Sequence, residues 1–143
     1  MPRILVVDDD PAVCAAIRAC LEIRNFEVVT ANGGEDGLLA LQTSTFDLII
    51  VDIFMPHMDG FESIRTFRAH APLLPLIAIS GYMFAQRRTV APDFLQMALE
   101  LGATRCLRKP FTPSTLLAVI DICLGEVAVR QNESENRPLE IGT

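Results

Sequence analysis

The chain has 143 residues, half of them hydrophobic and 21% charged, with a formal net charge of -6. That length suits one domain with a substantial core, and the composition excludes a disordered chain. The acidic, scattered charge offers no basic patch for nucleic acid, and no stretch approaches the roughly 20 apolar residues of a membrane span.

Residues 3–7 (Arg-Ile-Leu-Val-Val) are predicted as a first strand, ended by Asp8, Asp9 and Asp10. Asp10 suits a helix cap and Pro11 a first helical turn, with Val13, Ile17, Cys20 and Leu21 at helical spacing to about Arg24. A second strand follows over 26–30, a turn at Asn32-Gly33-Gly34, and a second helix over 35–42. The run from Phe46 to Val51 has the character of a strand buried on both faces, stopping at Asp52. Pro56, Asp59 and Gly60 mark a loop, and Phe61, Ile64, Arg65 and Phe67 a third helix ending near His70. Leu76–Ile79 is the fourth strand, ended by Ser80-Gly81. A fourth helix is expected over 92–101 with Gly102 as its stop. Thr104–Leu107 is the fifth strand, leading to Lys109-Pro110. Thr112 caps a fifth helix expected to end at Gly125, and 126–143 is a polar, aperiodic tail expected at most to extend that helix briefly and then fray.

Five strand–helix units of this kind imply a doubly wound parallel sheet covered on both faces, a single domain over 1–125. Cys14, Cys20, Cys106 and Cys123 form no Cys-x-x-Cys pair, and His57 and His70 are not spaced with them as zinc ligands are. With no signal peptide at the N-terminus, reduced thiols and a cytoplasmic location are expected.

In a parallel sheet all strand C-terminal ends open on one edge, where α/β sheets bind ligands. That places Asp8, Asp9, Asp52, Ser80 and Lys109 around one crevice, and Lys109 is the chain's only lysine among twelve basic residues. Clustered acids repel one another and call for a cation, and carboxylates with a carbonyl and water suit Mg²⁺. A carboxylate can attack phosphorus and form an acyl phosphate, with a hydroxyl and an ammonium on the phosphoryl oxygens. Taken singly, Asp10 is a helix cap, Ser80 a turn residue and Lys109 a solvated charge. Their convergence at successive strand ends outweighs those readings.

These residues resemble a two-component response-regulator receiver domain. The resemblance rests on Ile-Leu-Val-Val-Asp-Asp at 4–9, Asp52, Met-Pro-His-Met-Asp-Gly at 55–60, Ser80, Gly102-Ala103 and Lys109-Pro110-Phe111. It implies a (βα)5 flavodoxin-like fold with strand order 2-1-3-4-5. It also implies that Asp52 is the phosphoacceptor, Ser80 the switch hydroxyl and Lys109 the phosphoryl contact, with a cis Lys109–Pro110 bond. Asp9, Asp52 and the Phe54 backbone carbonyl would ligate Mg²⁺ directly, and Asp8 through water. A sensor histidine kinase or histidine phosphotransfer protein would donate the phosphoryl group. A downstream protein would bind the face of helix four, strand five and helix five. The expected protein is a stand-alone phosphoacceptor rather than an enzyme, without an effector domain after it, without nucleic acid or membrane as partners.

Three features depart from the family pattern. Cys106 stands where an aromatic switch residue is usual. The connection from Ser80 to Gly102 is long, with Tyr82, Phe84, Arg87 and Arg88 in a stretch suited to partner recognition. Phe54 and Tyr82 put bulky rings two positions beyond Asp52 and Ser80, which would exclude water and slow loss of the phosphoryl group. The alternatives are a receiver-like interaction module that is never phosphorylated and an aspartyl-phosphate phosphatase of the haloacid-dehalogenase kind. The complete residue set opposes the first. Against the second, Pro11-Ala12 replaces the usual Gly-Thr and there is no room for a cap domain. A flavodoxin-like cofactor binder is weaker, because acids follow strand one where phosphate-binding donors would be needed.

Overall fold

The computed structural model describes residues 1–55, 58–80 and 94–136. In chain order its elements are β1 (Arg3–Val7), α1 (Pro11–Ile23), β2 (Glu27–Ala31), α2 (Gly34–Thr43), β3 (Leu48–Asp52), β4 (Phe54–Met55), β5 (Met58–Asp59), α3 (Gly60–His70), β6 (Leu76–Ser80), α4 (Phe94–Glu100), β7 (Arg105–Arg108) and α5 (Pro113–Asn136). The five longer strands form one parallel sheet in the order β2-β1-β3-β6-β7, the 2-1-3-4-5 order expected of the fold.

The central strands are buried residue after residue: Ile4–Val7, Leu48–Asp52 and Leu76–Ser80. Successive side chains point to opposite faces, so such strands need a helical layer on each side. Ile4, Val6, Ile50, Ile77 and Ile79 pack with Leu21, Leu116 and Ile120 of α1 and α5. Leu5, Val7, Ile49, Val51 and Ala78 pack with Leu41, Ile64, Phe67 and Ala98 of α2, α3 and α4. Each buried Leu or Ile contributes about 1.5–3 kcal/mol, so these two layers dominate the stability. Local signals set the helix starts. Ala12 N–H donates to the Asp10 carboxylate at 2.9 Å, and Thr115 N–H donates to the Thr112 hydroxyl at 3.1 Å.

Two expectations of local structure change. The fifth helix does not stop at Gly125 but continues to Asn136. A helix-interior glycine costs only about 1 kcal/mol, too little by itself to stop a helix. Here Glu126 pairs with Arg105 of β7, and Val127 is half-buried beside the lower edge of the sheet. The stretch after Asp52 is not simply a loop either, since Phe54–Met55 pairs antiparallel with Met58–Asp59. Gly60 closes it: a Cβ there would overlap the backbone of Ile53, so only glycine fits. Tyr82, Phe84, Arg87, Arg88 and the rest of 81–92, with 137–143 of the tail, lie outside the described residues. Among those described, no helix is long and apolar enough to cross a membrane.

Candidate functional site

Strand register brings the polar ends together. Val7 is level with Val51, and Asp52 with Ile79. Asp8 and Asp52 therefore end neighbouring strands side by side. Ser80 is level with Arg108, and Lys109 N–H donates to the Ser80 carbonyl at 2.8 Å, extending the ladder by one residue. The Lys109–Pro110 peptide bond is cis.

The centre of the site is one ammonium between two acids. Lys109 Nζ donates to Asp52 Oδ2 at 3.0 Å and lies 3.4 Å from Asp8 Oδ2. Asp8 and Asp52 are only 2% and 5% exposed, and Ser80 is buried beside them at the end of β6. Asp10 N–H donates to Asp8 Oδ1 at 2.9 Å, and the Cys14 thiol donates to the Asp8 carbonyl at 3.4 Å. Burial pushes the Asp8 carboxyl up to about 6; the charge of Asp52 adds to the rise, while the Asp10 N–H and the Lys109 ammonium oppose it. Burial pulls Lys109 down, but its hydrogen bonds and charge contacts with Asp52 and then Asp8 win, so its pKa is raised. The ammonium stays charged at neutral pH.

This donor chemistry fits a hard divalent cation. Two buried carboxylates face a single ammonium, which leaves the cluster one negative charge in excess when both acids are ionised. Among the described residues no three His, Cys, Asp or Glu side chains converge as a metal site by themselves. An ion here would draw on two carboxylates with carbonyl or water oxygens. Asp9 is half-buried next to Asp8 in sequence, and Phe54 lies in β4 just past Ile53. Asp10 has the capping role alone. Cys106 is half-buried and packs against the cluster that contains Ala78 and Ala98, on the α4 side of the sheet.

Two contributors went unseen in the sequence. Cys14 supports the Asp8 backbone through its thiol, whereas the sequence marks it only as a cysteine without a Cys-x-x-Cys partner. Arg68 makes five hydrogen bonds to backbone carbonyls, yet in sequence it looks like one more cation near a helix end. The Pro-flanked linker that follows it is the only signal that could have drawn attention to it.

The family profile described as the response regulator receiver domain matches residues 4–121. The chain is 30% identical over 140 residues to the alkaline phosphatase synthesis transcriptional regulatory protein PhoP of Bacillus subtilis, covering 96% of this chain and 55% of that protein. The crystallised chemotaxis protein CheY4 of Vibrio cholerae is similar with a TM-score of 0.75 at 31% identity, covering 86% of this chain and 98% of that one. A CheY-like receiver domain protein of Methanospirillum hungatei is similar with a TM-score of 0.78 at 30% identity, covering 88% of this chain and 95% of that one. Of PhoP and the CpxR homolog of Haemophilus influenzae the chain spans 55% and 56%, about half of their length.

Proposed function

The chain belongs to the response regulator receiver domain family of two-component signalling, and from that premise we propose that Asp52 is its phosphoacceptor. The observation that carries this reading is the Lys109 ammonium bridging two buried carboxylates at neighbouring strand ends. One buried acid held by a cation would be an ordinary ion pair. Two acids with an incompletely balanced charge make a site built for a further cation and an anionic substrate.

In the proposed reaction an Asp52 carboxylate oxygen attacks the phosphorus of a phosphohistidine. The P–N bond breaks, the electron pair and then a proton go to the imidazole nitrogen, and Asp52 carries an acyl phosphate. Lys109 leaves its ion pair with Asp52 to contact a phosphoryl oxygen, and the Ser80 hydroxyl donates to another. Receiver domains generally bind Mg²⁺, and the acidic residues here suit it: Asp9, Asp52 and the Phe54 carbonyl as direct ligands, Asp8 through water. When bound, the ion neutralises charge on the transferring phosphoryl group. The donor is a sensor histidine kinase or a phosphotransfer protein. Output passes to another protein through α4, β7 and α5, or onward by relay of the phosphoryl group. The protein is a participant in phosphoryl transfer rather than an enzyme with turnover of its own. Residues 1–125 form the receiver unit in this reading, and α5 carries on beyond it to Asn136.

The test is incubation with acetyl phosphate and Mg²⁺, followed by intact mass. Wild type gains one phosphoryl group and Asp52→Asn gains none. An unmodified wild type, or equal modification of the variant, would refute Asp52 as the acceptor. A phosphatase would instead be modified at Asp8 and would turn over phosphoesters.

A further inference from the structure

Helices α3 and α4 end next to each other at the N-terminal edge of the sheet, away from the acidic site, and one guanidinium serves both ends. Arg68 Nε and Nη2 donate to the Gly102 carbonyl at 3.1 and 2.6 Å. Its Nη1 donates to the carbonyls of Ala71 at 3.2 Å, Pro72 at 3.0 Å and Leu74 at 2.7 Å. Among the described residues no carboxylate pairs with it. Its positive charge is met instead by carbonyls at the ends of two helices, where backbone dipoles favour a cation.

The backbone is shaped for this contact. Gly102 has φ 116, and a Cβ there would lie 3.1 Å from both Cγ and Nε of Arg68. A second clamp lies just beyond. Thr104 N–H donates to the Leu76 carbonyl at 2.7 Å, and Leu76 N–H donates to the Thr104 hydroxyl at 3.0 Å. Ala98 and Ala103 are buried between these contacts, with Ala103 N–H donating to the Ala98 carbonyl at 3.0 Å. The C-terminal end of α4 is thus tied to the connection between α3 and β6. The seven described residues of α4 make less than two full turns, and so short a stretch gains its order from such ties.

We propose that Arg68 is a positioning residue: it pins the base of α4 at Gly102, so that α4 responds to phosphorylation from its opposite end about a fixed foot. This rests on the reading of Asp52 as phosphoacceptor and of α4 as part of the output face. Arginine is required because its planar fork aims Nε and Nη2 at the Gly102 carbonyl while Nη1 reaches the carbonyls of Ala71, Pro72 and Leu74. Lysine keeps the charge but has three donors on one point, too compact to hold Gly102 and the 71–74 carbonyls together.

The test is site-resolved amide hydrogen exchange on the full chain for wild type, Arg68→Lys and Arg68→Met. Each is measured alone and with Mg²⁺ and beryllium fluoride, a phosphoryl mimic. In both variants the amides of Gly102, Ala103 and Thr104 should exchange about tenfold faster or more, the loss of roughly one charged hydrogen bond. Amides of β1 and β3, such as Val6 and Ile50, should change less than about threefold. Beryllium fluoride should leave Gly102–Thr104 protected in wild type and alter their exchange in the variants. Uniform acceleration across the sheet would reduce Arg68 to a general stabiliser and overturn the proposal. So would unchanged rates in the variants, or loss of protection at Gly102–Thr104 in loaded wild type. Arg68→Lys carries the comparison if Arg68→Met does not fold. Acetyl phosphate labelling of the same samples keeps the two readings apart. A wild type that takes no phosphate counts against Asp52, while exchange without the mimic still decides whether Arg68 pins Gly102.

Discussion

Replacing Asp8 by asparagine should make the metal-free protein more stable near neutral pH, although it removes a buried contact. The Asp8 carboxyl is raised from 3.8 to about 6, first by burial and then by the charge of Asp52, against the opposing Asp10 N–H and Lys109. Between these values the folded protein holds a proton that the unfolded chain has released. Stability therefore falls as pH rises through that window and levels off above it. At about 1.4 kcal/mol per pKa unit, the ionised site costs about 3 kcal/mol at neutral pH. The asparagine side chain would keep an acceptor for the Asp10 N–H but lose the charge attraction to Lys109, now 3.4 Å away. A net gain of about 1–3 kcal/mol is expected. The assay is urea unfolding in EDTA from about pH 4.5 to about pH 7.5, comparing wild type with Asp8→Asn. The gain should be largest at the upper end and shrink as Asp8 protonates. A variant less stable at neutral pH, or a difference that ignores pH, would refute the reasoning.

Lys109→Met should slow phosphorylation by acetyl phosphate about ten- to a hundredfold, the loss of a charged hydrogen bond worth about 1.5–3 kcal/mol. A time course of intact mass reads this, and an unchanged rate would remove Lys109 from the reaction. Gly60→Ala should destabilise the fold by about 1–3 kcal/mol, since the new Cβ must push back the Ile53 backbone. Urea midpoints that do not move would mean that the turn yields freely. Phe54→Asn should shorten the lifetime of phosphorylated protein by admitting water to the acyl phosphate. An equal lifetime would dismiss the ring as a water barrier.

The strands of the sheet were legible because a buried parallel strand must be apolar on both faces. Residues 4–7, 48–51 and 76–79 announce themselves by that alone. The acids and the lysine were legible for a related reason: a polar residue that ends such a run has little choice but the sheet edge. The strand boundaries shifted by a residue or two. Asp52 is the last residue of β3 rather than the first after it, because its neighbour β6 continues the ladder to Ile79. Helix lengths were less legible. Gly125 carries a helix-stop signal in sequence, but Glu126 just after it pairs with Arg105 of β7 and the helix runs on. Arg68 shows the same limit: nothing local distinguishes it from Arg65, whose ion pair among the described residues is with Glu62 at 3.9 Å and which stays exposed.

The sequence by itself determined the alternation of strand and helix, the two-sided burial of the sheet and the placing of polar residues at the C-terminal ends of its strands. Each is written in local periodicity and in the residue types that terminate it. Only the tertiary structure decided the spacings on which the chemistry depends. Lys109 lies 57 residues from Asp52 and 101 from Asp8 in the chain, yet one ammonium touches both. Strand register and crossover direction fix that meeting, and neither is a property of any one segment. Likewise, the ends of α3 and α4 become a cation site only when folding sets Gly102 against Arg68, 34 residues before it. Until then each carbonyl has water, and the guanidinium has no reason to prefer one over another.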